Sequence, residues 1–387
     1  MIRSANSSRW SSLARPILIS GSGGQRMSTT PPLKMTSAVL LTGGNGFIAV
    51  HIIVFLLSHG YSVVATVRSE NKTTYLRQKF ADAVAKGQLK FAIVEDITVP
   101  GAFDEVLKSN KFDSVLHTSS PFVFTINDIK KDFLDPAILG TTEILKAIKA
   151  HAPTVKRVVI TSSFASIVDL SKGDRPGHVY SEKDWNPITY EESQTDPVLG
   201  YFGSKKLAEK AAWDFVQSEK PTFELTTLCP PMVYGPALQE VKSMSNLNAS
   251  SIDFYALFSG QQKELKNAGV WLWVDVRDIA LAHVRALEKP DAGNQRFLIC
   301  EGRLSINSVV DYIWKHYPER AQAKGIPKPS PSAAFPETGT YVPDNSKSKS
   351  VLGIEYLPIE STLADTLDQF AALEKELGVE QYSSDRH

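Results

Sequence analysis

Ala38-Val39-Leu40-Leu41-Thr42-Gly43-Gly44-Asn45-Gly46-Phe47-Ile48-Ala49 is the stretch whose reading decides how this chain folds. Its first four residues form a short continuous apolar run, the pattern of a parallel strand buried on both faces. After the glycines, Phe47, Ile48, Ile52, Phe55 and Leu56 recur at helical spacing. Strand, glycine-rich turn and helix together make a dinucleotide phosphate site, because glycines let the backbone approach a pyrophosphate and the helix N-terminus meets its charge. The spacing is Gly43, Gly46 and Ala49, with alanine in third place. His51, inside that helix, reads as a packed or partly exposed histidine rather than a catalytic one.

Working outward, Ser62 to Val67 is a second strand and ends at Arg68. An NAD site places Asp or Glu there to bind the ribose hydroxyl, whereas Arg accommodates the 2'-phosphate of NADP. Arg68, followed by Lys72, therefore favours NADP(H) as cofactor. The pattern then alternates as a doubly wound sheet requires. A helix is expected over 73–85, a strand from Leu89 to Val94 closed by Glu95-Asp96-Ile97, and a short helix over 103–108. Ser114 to His117 reads as the fourth strand, with Thr118 beyond it; a long helix covers 134–151, and Arg157 to Thr161 is the fifth strand, leading to Ser162 and Ser163. Phe223 to Cys229 is the sixth. In open parallel sheets the ligand lies outside the carboxyl ends of the strands, so Gly43, Arg68, Asp96, Thr118 and Ser163 should share one crevice.

The fold class expected is α/β, a Rossmann-type doubly wound parallel sheet with a smaller mixed α/β C-terminal lobe for substrate. Residues 36–235, completed by 270–290, form the nucleotide-binding domain, with Trp271 to Val276 returning to the sheet. Residues 236–269 and 291–380, including Arg296 to Ile299 and a helix over 306–317, form the smaller lobe. A surface connection over 324–344 and a last helix over 361–377 follow.

Tyr201-Phe202-Gly203-Ser204-Lys205 opens a strongly helix-forming run. A phenol and an ammonium four apart lie on one helix face, and a phenol with an unperturbed pKa near ~10 becomes a useful proton donor only where its ionised form is stabilised. Lys205 can supply that charge. Lys206 and Lys210 read as a solvated face. Asp275 and Asp278, at a strand end and a helix start, read as capping carboxylates, with Arg277 as a partner.

Composition limits the function classes. Of 387 residues, 42 are Lys or Arg and 42 are Asp or Glu, so the formal net charge is zero; this gives no sign of a nucleic-acid or anionic-membrane partner. Cys229 and Cys300 are the only cysteines, which argues for a reducing compartment and offers neither a disulfide framework nor a zinc site. No metal is expected, and no apolar run is long enough to span a bilayer. Residues 1–34 carry four arginines, many serines and no acid. They read as part of a disordered leader or targeting extension over 1–35, with Met27 and Met35 as alternative starts. The location expected is cytoplasmic, or mitochondrial where 1–34 acts as a transit peptide.

The set Thr42 to Ile48, Arg68, Asp96-Ile97, Thr161-Ser162-Ser163, Asp184-Trp185 and Tyr201 to Lys205 resembles the extended short-chain dehydrogenases/reductases. More narrowly, it is similar to their dihydroflavonol 4-reductase-like branch and its fungal NADPH-dependent carbonyl reductases of the methylglyoxal and 3-methylbutanal reductase kind. The cinnamoyl-CoA reductase run Asn-Trp-Tyr-Cys-Tyr-Gly-Lys is replaced by Asp-Pro-Val-Leu-Gly-Tyr-Phe-Gly-Ser-Lys over 196–205. The resemblance implies Tyr201 as proton donor to a substrate carbonyl, Lys205 as its activator and as a ribose contact, and Ser163 as the group that fixes the carbonyl oxygen. It implies cofactor contacts from Gly43, Gly46, Phe47, Ile48, Arg68, Lys72, Asp96, Ile97, Thr118, Pro230 and Val233. Phe122, Phe164, Val168, Val198 and Met232 would line an apolar pocket for a ketone or aldehyde. The partner expected is that small-molecule carbonyl, with the protein a monomer or homodimer. The other readings on this scaffold are a 3β-hydroxysteroid dehydrogenase, a sugar-nucleotide epimerase, or a non-catalytic dinucleotide sensor.

Overall fold

A computed structural model describes residues 37–120 and 128–379. The first strand, β1 (Ala38–Thr42), is buried except at Ala38, which its apolar run requires. The strands that follow are β2 (Ser62–Val67), β3 (Leu89–Ile93), β4 (Ser114–His117), β5 (Arg157–Thr161), β6 (Val179–Tyr180), β7 (Glu224–Cys229), β8 (Met232–Tyr234), β9 (Leu272–Asp275), β10 (Gln295–Leu298), β11 (Gly302–Arg303) and β12 (Val342–Pro343). Seven of them form one sheet in the order β10-β7-β5-β4-β1-β2-β3, and every neighbouring pair is parallel. The order reverses between β1 and β4, so their carboxyl ends open a crevice at the switch point.

Helices cover both faces of this sheet. On one side Phe47–Ser58 packs against Val276–Glu288 over Val39, Leu41 and Val63. On the other, Asp135–His151 packs against Pro197–Glu219 over Leu40, Val115 and Val158. Burying each such Val or Leu contributes ~1.5–3 kcal/mol. A third cluster, built on Ala249–Phe258, Ile306–His316 and Ile359–Leu377, forms the smaller lobe beyond the sheet.

Two expectations about that lobe change. Trp271 to Val276 does not return to the main sheet: β9 lies in a three-stranded sheet, parallel to β8 and antiparallel to β11. Arg296 to Ile299, expected in the smaller lobe, instead supplies the edge strand β10, parallel to β7. A strand of four residues carries no mark of which sheet it joins. The expected helix over 73–85 is two short helices, Thr74–Lys79 and Ala81–Ala85, meeting at Phe80. The connection over 324–344 is partly ordered, because β12 pairs in parallel with β6. Among the described residues no helix is long and apolar enough to cross a membrane. The expected leader, residues 1–35, lies outside the described residues.

Candidate active site

The turn after β1 is held by backbone bonds. Gly44 N donates to Thr66 O at 2.8 Å and Gly46 N to Gly43 O at 2.9 Å. Gly43 has φ +69°, and a Cβ there would stand 2.9 Å from Ser119 Oγ. Glycine is therefore required by conformation and by space. The helix Phe47–Ser58 that follows has no side-chain cap and no acidic residue in its first turn, leaving its N–H groups for an anion. A cavity of about 760 Å³ opens over this turn, and Gly43, Gly46, Arg68, Lys72, Asp96, Ile97 and Thr118 all line it. Arg68 and Lys72 are exposed at its β2 side, with no acid at the end of β2. Asp96, at the β3 end, accepts from Thr98 N at 2.8 Å and Thr98 Oγ1 at 2.7 Å, and these bonds hold its carboxyl below the usual range. Thr118 Oγ1 donates to Thr42 O at 2.6 Å, tying β4 to β1. The shape, the open helix terminus and the two cations fit NADP(H).

The helix carrying Tyr201 starts earlier than expected, at Pro197. Asp196 caps it by accepting from Val198 N and Leu199 N, so Tyr201 lies in the second turn. Burial pushes the Tyr201 phenol up, and a hydrogen bond from Ser163 works against it. Lys205 Nζ stands 5.7 Å from the Tyr201 ring centroid and donates to Ser120 Oγ at 2.8 Å. Burial brings the Lys205 amine down to about 8. Ser163 Oγ accepts from Ala165 N at 3.1 Å, which leaves its proton to point elsewhere. Its neighbour Ser162 is engaged, donating to Glu209 Oε2 at 2.6 Å. Ser120 lines the large cavity, so its bond to Lys205 joins the Tyr201 group to the nucleotide crevice.

Residues 39–300 match the model of the NAD dependent epimerase/dehydratase family. The chain belongs to that family. Within this epimerase/dehydratase family it is similar to the NADPH-dependent methylglyoxal reductase of Saccharomyces cerevisiae, at 36% identity over 344 residues, covering 87% of this chain and 99% of that one. It is also similar to a ketoreductase of Aspergillus niger, at 41% identity over 338 residues, covering 86% and 97%. The crystal structure of yeast methylglyoxal/isovaleraldehyde reductase complexed with NADPH superimposes with a TM-score of 0.80 at 36% identity, covering 87% of this chain and 99% of that one.

Other expected contacts are more dispersed in this family member. Phe47 and Ile48 form the first turn of their helix and are half-buried. Pro230 is buried, with its carbonyl accepting from Phe164 N at 2.8 Å. Val233 is half-buried, and its carbonyl accepts from Ser250 Oγ. Phe164 and Val168 are fully buried among Tyr180 and Tyr341, Met232 is half-buried against the smaller lobe's core, and Val198 is 58% exposed. Phe122 lies outside the described residues.

His51 is packed as expected, with Nε2 2.9 Å from Pro236 O. Asp275 caps its helix through Arg277 N at 2.7 Å and pairs with the Arg277 guanidinium at 2.7 Å, while Asp278 accepts from Leu357 N. Lys210 pairs with Asp214 on the surface, but Lys206 Nζ donates to Ile188 O at 2.8 Å and is not simply solvated. Sequence reasoning missed Glu209 and Arg296. Glu209 is buried and accepts from Ser162, Thr227 and Arg296, while Arg296 also bonds the Ser166 carbonyl and stacks 3.8 Å from the Trp185 ring centroid. An acid one turn beyond Lys205, on the inward helix face, was the available signal.

Proposed function

We propose that this chain is an NADPH-dependent reductase that converts a small-molecule ketone or aldehyde into an alcohol. The observation that carries the reading is the Lys205–Ser120 bond, which ties Lys205, the neighbour of the Tyr201 ring, to a residue lining the glycine-lined cavity whose β2 side bears Arg68 and Lys72. NADPH, when bound, supplies the hydride that the carbonyl carbon receives. Gly43 and Gly46 with the helix terminus would hold its pyrophosphate, and Arg68 and Lys72 its 2'-phosphate.

Tyr201 is proposed as the acid. Burial keeps its phenol protonated at neutral pH, and the proton goes to the carbonyl oxygen as charge develops there. Ser163, whose hydroxyl proton is not used by its bond from Ala165 N, is proposed to donate to the same oxygen and fix its position. The Lys205 ammonium, beside the Tyr201 ring, would stabilise the phenolate left behind. Val198 and Met232 are proposed on the substrate side, with Phe164 and Val168 stiffening the wall behind Ser163. A cytoplasmic location and a monomeric or homodimeric state belong to the same proposal. The test is NADPH oxidation measured against a panel of aldehydes, ketones and diketones, including methylglyoxal and isovaleraldehyde. Carbonyl-dependent oxidation with NADPH preferred to NADH is expected; no oxidation with any member of the panel would overturn the reading.

A further inference from the structure

His117 ends β4 and is 2% exposed. Its Nδ1 lies 2.9 Å from Thr42 Oγ1. That hydroxyl oxygen already accepts from Thr118 N at 3.1 Å and Ser119 N at 3.2 Å. A hydroxyl has two lone pairs and one proton, so the Thr42 proton is what remains for His117 Nδ1. Burial, with the charge of Lys205, brings the imidazole down to about 4. The ring is therefore neutral, accepts at Nδ1 and carries its single proton on Nε2. Among the described residues no hydrogen-bond partner meets that buried Nε2.

His117 lines a small cavity of about 20 Å³, whose wall also includes Lys205, Thr141, Thr161 and Glu209 and which shares Ile97, Ser119 and Ser120 with the larger crevice. One water needs ~10–15 Å³ and two or more polar partners. His117 Nε2–H and the Lys205 ammonium are both donors and cannot bond each other, whereas a water oxygen accepts from both. We propose that one internal water sits between His117 Nε2 and Lys205 Nζ, accepting a hydrogen bond from each, and that His117 is thereby a positioning residue for Lys205. The water holds the amine from behind while Ser120 holds it in front. Three titratable groups face this cavity: His117 from β4, and Lys205 and Glu209 from the helix Pro197–Glu219. Glu209 is held by Arg296. Tyr201 lies against Lys205, and His283, neutral with its pKa lowered by burial to about 4, is one bond behind Thr161.

A water that accepts from Lys205 favours its charged form, so removing the water should lower the pH at which the lysine loses its proton. The role rests on the reading of Lys205 given above; the water itself does not. A crystal structure of the full chain with NADPH bound should show a water within hydrogen-bond distance of both Nε2 and Nζ. No water, or one bonded to only one of them, overturns the proposal. His117→Gln retains an N–H donor near the Nε2 position, and His117→Phe keeps the ring without it. The alkaline limb of kcat against pH is expected about one pH unit lower in His117→Phe, a tenfold change in the lysine's proton affinity, and near the parent in His117→Gln. Coincident limbs, or equal loss at every pH in both variants, overturn the positioning role even where the water is seen. If His117→Phe fails to fold, the crystallographic observation decides.

Discussion

At the residue scale, Tyr201 is the side chain on which the proposed chemistry turns. Tyr201→Phe should reduce kcat by ~10²–10⁴-fold, the span of general acid catalysis, while nucleotide binding followed by NADPH fluorescence stays within a few-fold. Undiminished turnover would dismiss Tyr201 as the acid. Arg68→Ala should raise KM for NADPH by at least about tenfold, as loss of a charge-assisted phosphate contact does, and leave KM for NADH nearly unchanged; equal effects on both would remove Arg68 from the 2'-phosphate. Lys205 carries a second consequence. Its folded pKa of about 8 lies below the ordinary 10.5, so its charged form is disfavoured by folding. That cost is fully present below about pH 8 and is relieved as pH rises towards 10.5. Lys205→Met should therefore raise Tm at pH 7 while abolishing turnover, with the Tm gain shrinking above pH 8. A lower Tm at pH 7 would contradict the burial argument.

At the scale of elements, the helix Pro197–Glu219 joins the proposed acid to the scaffold. Its close seating needs Gly203, where a Cβ would fall 1.9 Å from Ser193 Oγ. Six residues on, Glu209 grips the turn after β5. Arg296 Nε lies 2.7 Å from Glu209 Oε1, and both side chains are nearly inaccessible. Ser166 Oγ lies 2.5 Å from Glu209 Oε2 and 2.6 Å from the Ser163 carbonyl. Removing one partner leaves a buried charge uncompensated, which costs ~3–5 kcal/mol, whereas replacing both with apolar groups is often near neutral. Glu209→Ala should accordingly lower the unfolding free energy measured by denaturant titration by that amount, and Glu209→Leu with Arg296→Met should recover much of it. A loss below about 1 kcal/mol in the single variant would place the pair among weak surface bridges.

For the whole molecule, pH stability follows from which groups the fold keeps neutral. His51, His117 and His283 are each brought by burial from 6.5 to about 4. As pH falls through about 6.5 the unfolded chain takes up these protons first, so each histidine withdraws stability between there and about 4. Asp278, raised by burial from 3.8 to about 7, acts oppositely, since the folded chain takes up its proton first. Asp253 and Glu301, also raised by burial, act in the same sense as Asp278, but among the groups shifted furthest three histidines stand against one carboxyl and leave a net loss. Tm by calorimetry should fall steadily from pH 6.5 to 4.5, and a flat Tm across that range would mean that the histidines are not held neutral.

The local signals were the legible ones. Gly43 and Gly46 between an apolar strand and a helix, Arg68 at the end of β2, and Tyr201 four residues before Lys205 are short-range patterns, and each fixes an element or a charge within a few residues. What the sequence did not reveal depends on pairing across long separations. Neither β9 nor β10 announces its sheet, because a strand of four residues is too short to mark which neighbour it will pair with. Glu209 meets Arg296 across 87 residues, and Thr42 meets His117 across 75. Sequence alone determined the strand-turn-helix cradle, the preference for a phosphorylated nucleotide and the phenol–ammonium pair, since these rest on backbone freedom, local charge and helical periodicity. Only the tertiary structure decided that Ser162 is engaged by Glu209, that burial opposes phenol ionisation at Tyr201, and that a neutral histidine lies near Lys205. Desolvation and hydrogen-bond partnership belong to the packed surroundings, and a linear chain does not yet have them.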